Sequence, residues 1–343
     1  MTGSDPGILF LDRRDVEALL PIEECIEVMA ATLAELARGE AQQPLRSALW
    51  LADRRGLLGT MPAAIPARGE APAVLALKAL TVFPANWAKG EETHLGFVLL
   101  FEAQAGRPLA LLDAAAITAI RTAAVSAVAT RALANPDAGD LALLGAGAQA
   151  RTHLEAMQAV RPLRRVRVWS RTPENARRFA AAESARRGVP VEAVATPEQA
   201  LAGADLVCTV SAAREPILAG ERLAPGCHVN AVGACTPNAR ELDGAAIRRA
   251  RVFVDRRESA WHEAGDLILP LRAGEVDESC VAGELGELLL GTVVGRRSPG
   301  EVTLFESLGL GVEDAAAGRH VYLEALAAGR GARLPDGGAD ASA

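Results

Sequence analysis

The chain has 343 residues, half of them hydrophobic, and a formal net charge of −7. That length suggests two domains with sizeable cores, and the acidic balance argues against a nucleic-acid partner. The five cysteines (Cys25, Cys208, Cys227, Cys235 and Cys280) contain no Cys-x-x-Cys pair, which reads as free thiols in a reducing cytoplasm rather than a disulfide framework. The N-terminus lacks the apolar core of a signal peptide. No window approaches the ~18 uninterrupted apolar residues of a membrane span.

Ile8–Leu11 reads as a short strand, with Asp12 as the cap of the next element. Residues 14–20 and 22–38 read as helices, and Pro21 sits where the second can begin. Residues 45–58 alternate loosely, and Gly56-Leu57-Leu58-Gly59 suggests strands pairing around a turn. Residues 75–82 read as a strand broken by Pro84. Residues 96–102 and 109–112 read as a hairpin around Gln104-Ala105-Gly106-Arg107-Pro108. The first third is therefore α+β with mostly antiparallel strands.

The alanine-rich run 118–133 reads as a helix, ended by Asn135-Pro136-Asp137-Ala138-Gly139. From there strand and helix alternate. Strands fall near 141–144, 166–169, 191–194, 205–210, 228–232 and 251–255, with helices around 149–160, 173–187, 197–202 and 243–249. That rhythm predicts a parallel, doubly wound α/β sheet. Residues 284–290 and 304–328 read as mostly helical, and the Gly-, Ala- and Asp-rich tail 329–343 as frayed.

The stretch Leu141-Ala142-Leu143-Leu144-Gly145-Ala146-Gly147-Ala148-Gln149-Ala150 carries the strongest motif. Four apolar residues form a buried strand, and the next six fit the Gly-x-Gly-x-x-Gly/Ala dinucleotide fingerprint. Gly145 permits the tight turn, Gly147 lets the backbone approach a pyrophosphate, and Ala150 is small enough for close helix packing. The helix after Gln149 then offers free N–H groups and a positive dipole end to phosphates. Past the second strand, where an acid would bond a ribose hydroxyl and repel a 2′-phosphate, the chain has Ser170-Arg171-Thr172. A guanidinium there suits a phosphate, which favours NADP(H), with NAD(H) as the alternative.

Lys78 interrupts the apolar run 74–81. It either snorkels outward or points into a pocket, where a lysine of lowered pKa can donate a proton or polarise a carbonyl or imine. It is one of two lysines in the chain, the other being Lys89, which tilts the reading toward function. Arg121 interrupts a small-residue helix and suits a carboxylate or phosphate, against the alternative of a solvated helix face. Arg46 is a second candidate carboxylate clamp. The scattered histidines offer no metal site, and no Gly-x-Ser-x-Gly supports a hydrolase. Cys235 follows a predicted sheet strand and reads as an inert buried thiol.

Taken together, these segments resemble the ornithine cyclodeaminase/mu-crystallin family. The likeness is carried by residues 78–84, 119–124, the Gly145 loop, residues 170–176, 204–209, 214–218, 228–233, 254–255, 263–266 and 303–309. The resemblance implies a Rossmann NAD(P)-binding domain over 119–307, inserted in an α+β substrate and dimerisation domain (1–118 with 308–343) that the C-terminal helix rejoins. It also implies a homodimer. Lys78 matches the active-site lysine, Arg46 and Arg121 match residues holding the substrate carboxylate, and Thr81 matches a further substrate contact. Thr93 and His94 match a pair near the nicotinamide, and Arg171 matches the 2′-phosphate arginine. Arg121, Thr122, Gly145, Gly147, Ala148, Gln149, Ser170, Thr172, Asn175, Thr209, Val210, Val232 and Ser307 match the remaining cofactor contacts.

One departure matters. The cyclodeaminase branch places a catalytic aspartate where this chain has Cys235, and a neutral thiol is a poor carboxylate base. The resemblance therefore implies NADPH-dependent reduction of a C=N bond in a small imino acid, or reductive amination of a keto acid. The alternatives are an ammonia-releasing cyclisation with bound NAD, and an NADPH-dependent small-ligand-binding protein.

Overall fold

A computed structural model describes residues Gly7–Leu334. In chain order the elements are β1 (Ile8–Leu11), α1 (Arg13–Leu19), α2 (Ile22–Ala37), β2 (Ser47–Trp50), β3 (Leu57–Ile65), β4 (Val74–Val82), β5 (His94–Glu102), β6 (Pro108–Asp113) and α3 (Ala114–Leu133). Then come β7 (Asp140–Leu144), α4 (Ala148–Val160), β8 (Arg165–Trp169), α5 (Pro173–Arg187), β9 (Val191–Ala193), α6 (Pro197–Leu201), β10 (Leu206–Thr209), β11 (His228–Ala231), α7 (Gly244–Arg249) and β12 (Ala250–Val254). The last are α8 (Arg257–Glu263), α9 (Gly265–Arg272), β13 (Val281–Glu284), α10 (Leu285–Leu289), β14 (Val302–Glu306), α11 (Gly311–Ala328) and β15 (Ala332–Leu334).

These elements fall into two compact units. One runs to Arg121 and resumes at Leu310; the other is Thr122–Gly309. The first boundary lies inside α3. That helix begins four positions earlier than its alanine pattern suggests, because the Asp113 side chain accepts a hydrogen bond from the Ala116 N–H at 2.7 Å. Its length and mean hydropathy would suit a membrane span, but 72% of that stretch is buried in the protein, which accounts for its composition.

The first unit is built on a seven-stranded sheet in the order β15-β1-β6-β5-β4-β3-β2. Its pairings are antiparallel except β1 with β6. Strand alternation gives the sheet two faces. One carries Ala63, Ile65, Val74, Ala76, Val98 and Leu100, all buried, and α11 packs on it with α2 alongside. The other carries Leu49, Leu58, Leu75, Leu95 and Phe97, which stay 41–72% exposed.

The second unit is an eight-stranded, wholly parallel sheet in the order β13-β12-β14-β11-β10-β7-β8-β9. The chain leaves β7 toward β8 and β9, then returns to β10 on the other side. The switch point of this Rossmann-type fold therefore lies between β7 and β10, where such sheets hold ligands. Leu144, Val207, Val229, Leu304 and Val254 are buried in its core.

Three expectations need correction. Residues 304–328 are not one helix: Val302–Glu306 is a fully buried strand between β11 and β12, and the helix starts at Gly311. A short apolar run has no periodicity to separate the two states. Residues 284–290 are helical as expected, forming α10 with Glu284 and Leu290 as its caps. In the first unit the turn lies at 51–56, so Gly56-Leu57-Leu58-Gly59 leads into β3 rather than forming the turn. Part of the tail is also ordered, since Ala332–Leu334 pairs antiparallel with β1. Residues 335–343 lie outside the described residues.

Candidate active site

In the first unit, period-two alternation sends Lys78 to the face covered by α11. It is 2% exposed and does not snorkel outward. Its Nζ lies 2.6 Å from Oδ2 of Asp314 and 3.5 Å from the Thr118 hydroxyl. Asp314 and Glu313 open α11, where acidic side chains suit the positive end of the helix dipole. Arg121, 4% exposed, donates from Nε to Asp314 Oδ1 at 3.0 Å and from Nη1 to Glu313 Oε2 at 2.9 Å. The alternative of a solvated arginine face is thereby excluded.

Burial pushes the Lys78 pKa down to about 8, against the pull of Asp314; Arg121 and Arg46 push it further the same way. Desolvation would raise the Asp314 carboxyl, but Arg121 and Lys78 outweigh it and hold it below the ordinary aspartate value. The cluster thus keeps a lysine whose protonation changes within the working pH range, beside a fixed guanidinium. Arg46 is half-buried, and its charge reaches Lys78.

Thr93 and His94 lie where β5 begins, with Thr93 Oγ1 2.8 Å from His94 Nδ1. His94 pairs with Val82 on the Lys78 side of the sheet. A cavity of about 30 Å³ is lined there by Leu80, His94, Gly96, Ala114, Ala115 and Thr118. Thr81 is not brought to this cluster. It sits an odd number of residues from Lys78, faces the other side of β4 and donates to the Leu95 carbonyl at 3.3 Å.

In the second unit the fingerprint forms the loop between β7 and α4. Gly145 adopts φ +131°, and a Cβ there would meet the Val210 carbonyl at 2.6 Å, so the position requires glycine. A Cβ on Gly147, by contrast, would have nothing within 4 Å. Gly147 is the N-cap of α4 and provides no side-chain cap, which leaves the first N–H groups of Ala148, Gln149 and their neighbours for a ligand. Gln149 Oε1 and Ser307 Oγ are buried with no hydrogen-bond partner among the described residues. These features fit a dinucleotide pyrophosphate.

The neighbouring strand ends are tied together. The Val210 N–H reaches the Leu144 carbonyl at 2.9 Å, Val232 reaches Thr209 at 3.0 Å, and Ser307 reaches Ala231 at 2.8 Å. Thr122 is buried in α3. At the end of β8, Ser170 is half-buried, Arg171 is exposed and Thr172 is the N-cap of α5. The Asn175 side chain accepts from Arg178 at 2.6 Å. Cys235 is half-buried rather than wholly so, with Sγ 3.2 Å from the Val232 carbonyl.

Several acids escape a reading of the sequence. Glu313 and Asp314 are two; their signal was an acidic pair opening an otherwise Ala-, Gly- and Val-rich helix. A second group lies at the carboxyl ends of the parallel strands. Asp266 accepts the Glu241 and Leu242 N–H groups at 2.8 Å each. Glu241 accepts from Ser211 N–H and Gly233 N–H at 2.7 and 2.8 Å. Asp255 accepts from Leu308 and Gly309 at 2.7 and 2.9 Å. Glu306, 1% exposed, has neither carboxylate oxygen hydrogen-bonded among the described residues. Burial, with Asp266, Asp255 and Glu241 nearby, raises its pKa well above the usual carboxylate range.

The sequence profile of the ornithine cyclodeaminase/mu-crystallin family matches residues 8–329. Delta(1)-pyrroline-2-carboxylate reductase from Bacillus cereus is 36% identical over 328 residues, covering 95% of this chain and 99% of that protein. Ketimine reductase mu-crystallin from Mus musculus is 39% identical over 300 residues, covering 87% and 90%. Among solved structures, the Thermococcus litoralis Delta(1)-pyrroline-2-carboxylate reductase, in complex with NADH and L-proline, superposes with a TM-score of 0.92 at 36% identity, covering 95% of this chain and 100% of that one. By a match that runs over residues 8–329, the chain belongs to the ornithine cyclodeaminase/mu-crystallin family.

Proposed function

We propose that this protein is a nicotinamide-nucleotide-dependent oxidoreductase that reduces the C=N bond of small imino acids, including imines formed from a keto acid and an amine. The observation that carries this reading is Lys78, 2% exposed, with Nζ 2.6 Å from the Asp314 carboxylate that also holds Arg121. The similarity to pyrroline-2-carboxylate and ketimine reductases supports it. The dinucleotide, when bound at the Gly145 loop, supplies the hydride.

The chain's residues do the rest. Arg46 and Arg121 provide the positive field that orients the substrate carboxylate. Lys78 delivers a proton to the imine nitrogen as the carbon accepts hydride. Protonation of the imine nitrogen makes its carbon electrophilic, so the site needs positioning and a proton source more than a strong base. Cys235, in place of an aspartate, suits this reaction better than an ammonia-releasing cyclisation.

Within this reading NADPH is the preferred reductant. Ser170, Arg171 and Thr172 offer a cation and hydroxyls, with no acid to repel a 2′-phosphate. The reading also includes a homodimer, which the exposed apolar face of the first unit's sheet supports. The test is oxidation of NADPH, with NADH as control, across pyrroline and piperideine carboxylates and keto acids mixed with amines. Turnover of a cyclic imine with NADPH preferred is expected. No turnover across that panel would overturn the proposal.

A further inference from the structure

The Asp314 carboxylate is shared between two cations that the proposed reaction places on the substrate. Its Oδ2 lies 2.6 Å from Lys78 Nζ, and its Oδ1 accepts from Arg121 Nε at 3.0 Å. All three side chains are at most 4% exposed, so solvent screens the contacts little. A buried ammonium is costly unless a counter-charge is within reach. Around Lys78 stand Thr118 and Arg121 from α3, Arg46 from the segment before β2, His94 from β5, and Asp314 from α11. Of these five, Asp314 alone is acidic. Glu313, beside it on the helix, binds Arg121 Nη1 and the Leu310 N–H.

We infer that Asp314 is a positioning residue: one carboxylate from the C-terminal helix holds the Lys78 ammonium and the Arg121 guanidinium as a fixed pair, so that proton donor and carboxylate anchor stay in register. This rests on Lys78 being the donor in the proposed reduction. In that step a C–H bond forms at the imine carbon with hydride from the reduced nicotinamide. An N–H bond forms as a Nζ–H bond of Lys78 breaks. Lys78 is left as the neutral amine and regains a proton from solvent. Asp314 stays ionised throughout and touches neither reacting atom.

The chain's two lysines, Lys78 and Lys89, make a direct test possible. Full-length protein labelled at lysine Cε gives two side-chain NMR signals, and Lys78→Met removes one. In Asp314→Asn the Lys78 titration midpoint should fall by about one to three pH units, the effect of losing an adjacent opposite charge. kcat/KM for a pyrroline carboxylate with NADPH should fall at least about tenfold, its alkaline limb moving down with the midpoint. Asp314→Glu keeps the charge and lengthens the arm, so it should keep the limb and lose rate. If Asp314→Asn moves neither midpoint nor limb and only lowers the melting temperature, Asp314 is a structural ion pair and the inference is overturned. Should Asp314→Asn not fold, Asp314→Glu decides: a lower rate with the limb in place supports the inference, and an unchanged rate overturns it. Full turnover by Lys78→Met sinks the donor reading itself, and the inference with it.

Discussion

Lys78 and Thr81 stand on the same strand and face opposite sides of it: Lys78 lies under α11 beside Asp314, and Thr81 bonds the Leu95 carbonyl on the sheet's other surface. Their variants should therefore separate. Lys78→Met keeps most of the buried volume but removes the proton source, and kcat should fall about 100-fold or more with little change in NADPH affinity. Thr81→Val should change kcat/KM by less than about threefold, the range of a partly exposed substitution. Steady-state kinetics on both, with NADPH binding measured by fluorescence, checks this. Equal loss of rate and cofactor affinity in Lys78→Met would mark a structural lysine.

Arg171 is exposed at the end of β8, ahead of Thr172 and the start of α5. If it grips a 2′-phosphate, Arg171→Ala should weaken NADPH about tenfold or more, since hydrogen bonds to charged groups are worth roughly 1.5–3 kcal/mol. NADH affinity should stay nearly constant. Titration of both reduced nucleotides against native and variant protein measures the ratio. Parallel weakening of the two would deny Arg171 a role in selecting the phosphate.

The dinucleotide loop was legible because its requirements are local. Gly145 needs its positive φ, and Gly147 opens space beside the N-terminus of α4, all within one contiguous stretch. Lys78 was ambiguous because one strand does not reveal which of its faces a distant helix will cover. The partner that settles the matter sits far along the chain: Arg121 and Asp314 are separated by 193 positions. β14 was misread for a related reason, since Val302-Thr303-Leu304-Phe305 is equally apolar as strand or helix and only its place between β11 and β12 decides. Glu306, at the end of that strand, falls in a segment that carries the family likeness but takes no role from the sequence.

The exposed sheet face gives a separate test. Leu95 and Phe97 on β5 remain 51% and 41% exposed, and Leu49 on β2 reaches 72%. Register places Leu49 opposite Leu58, and Thr81 opposite Leu95, on one continuous apolar surface. If a second copy covers it, Leu95→Asp with Phe97→Asp should shift the protein from dimer to monomer in sedimentation analysis. A native protein already monomeric at micromolar concentration would remove the dimer from the proposal.

Glu306 makes stability depend on pH in a direction opposite to that of a salt-bridged acid. Burial, and the proximity of Asp266, Asp255 and Glu241, raise its folded pKa well above the usual range, while in the unfolded chain a glutamate titrates near ~4.3. The folded state therefore holds a proton that the unfolded state has released. Its stabilising contribution is fully present below the unfolded pKa and is lost as pH rises through the folded one. Each unit of difference is worth about 1.4 kcal/mol. Asp266, raised by burial and by Glu241, acts in the same sense. Glu306→Gln replaces the acid with a neutral group of nearly the same shape, so its melting temperature should exceed the native one at alkaline pH, with the gap closing toward pH ~4. Thermal melts of both proteins across that range decide the matter. A gap that widens on acidification would mean that Glu306 is ionised in the fold and held by a cation.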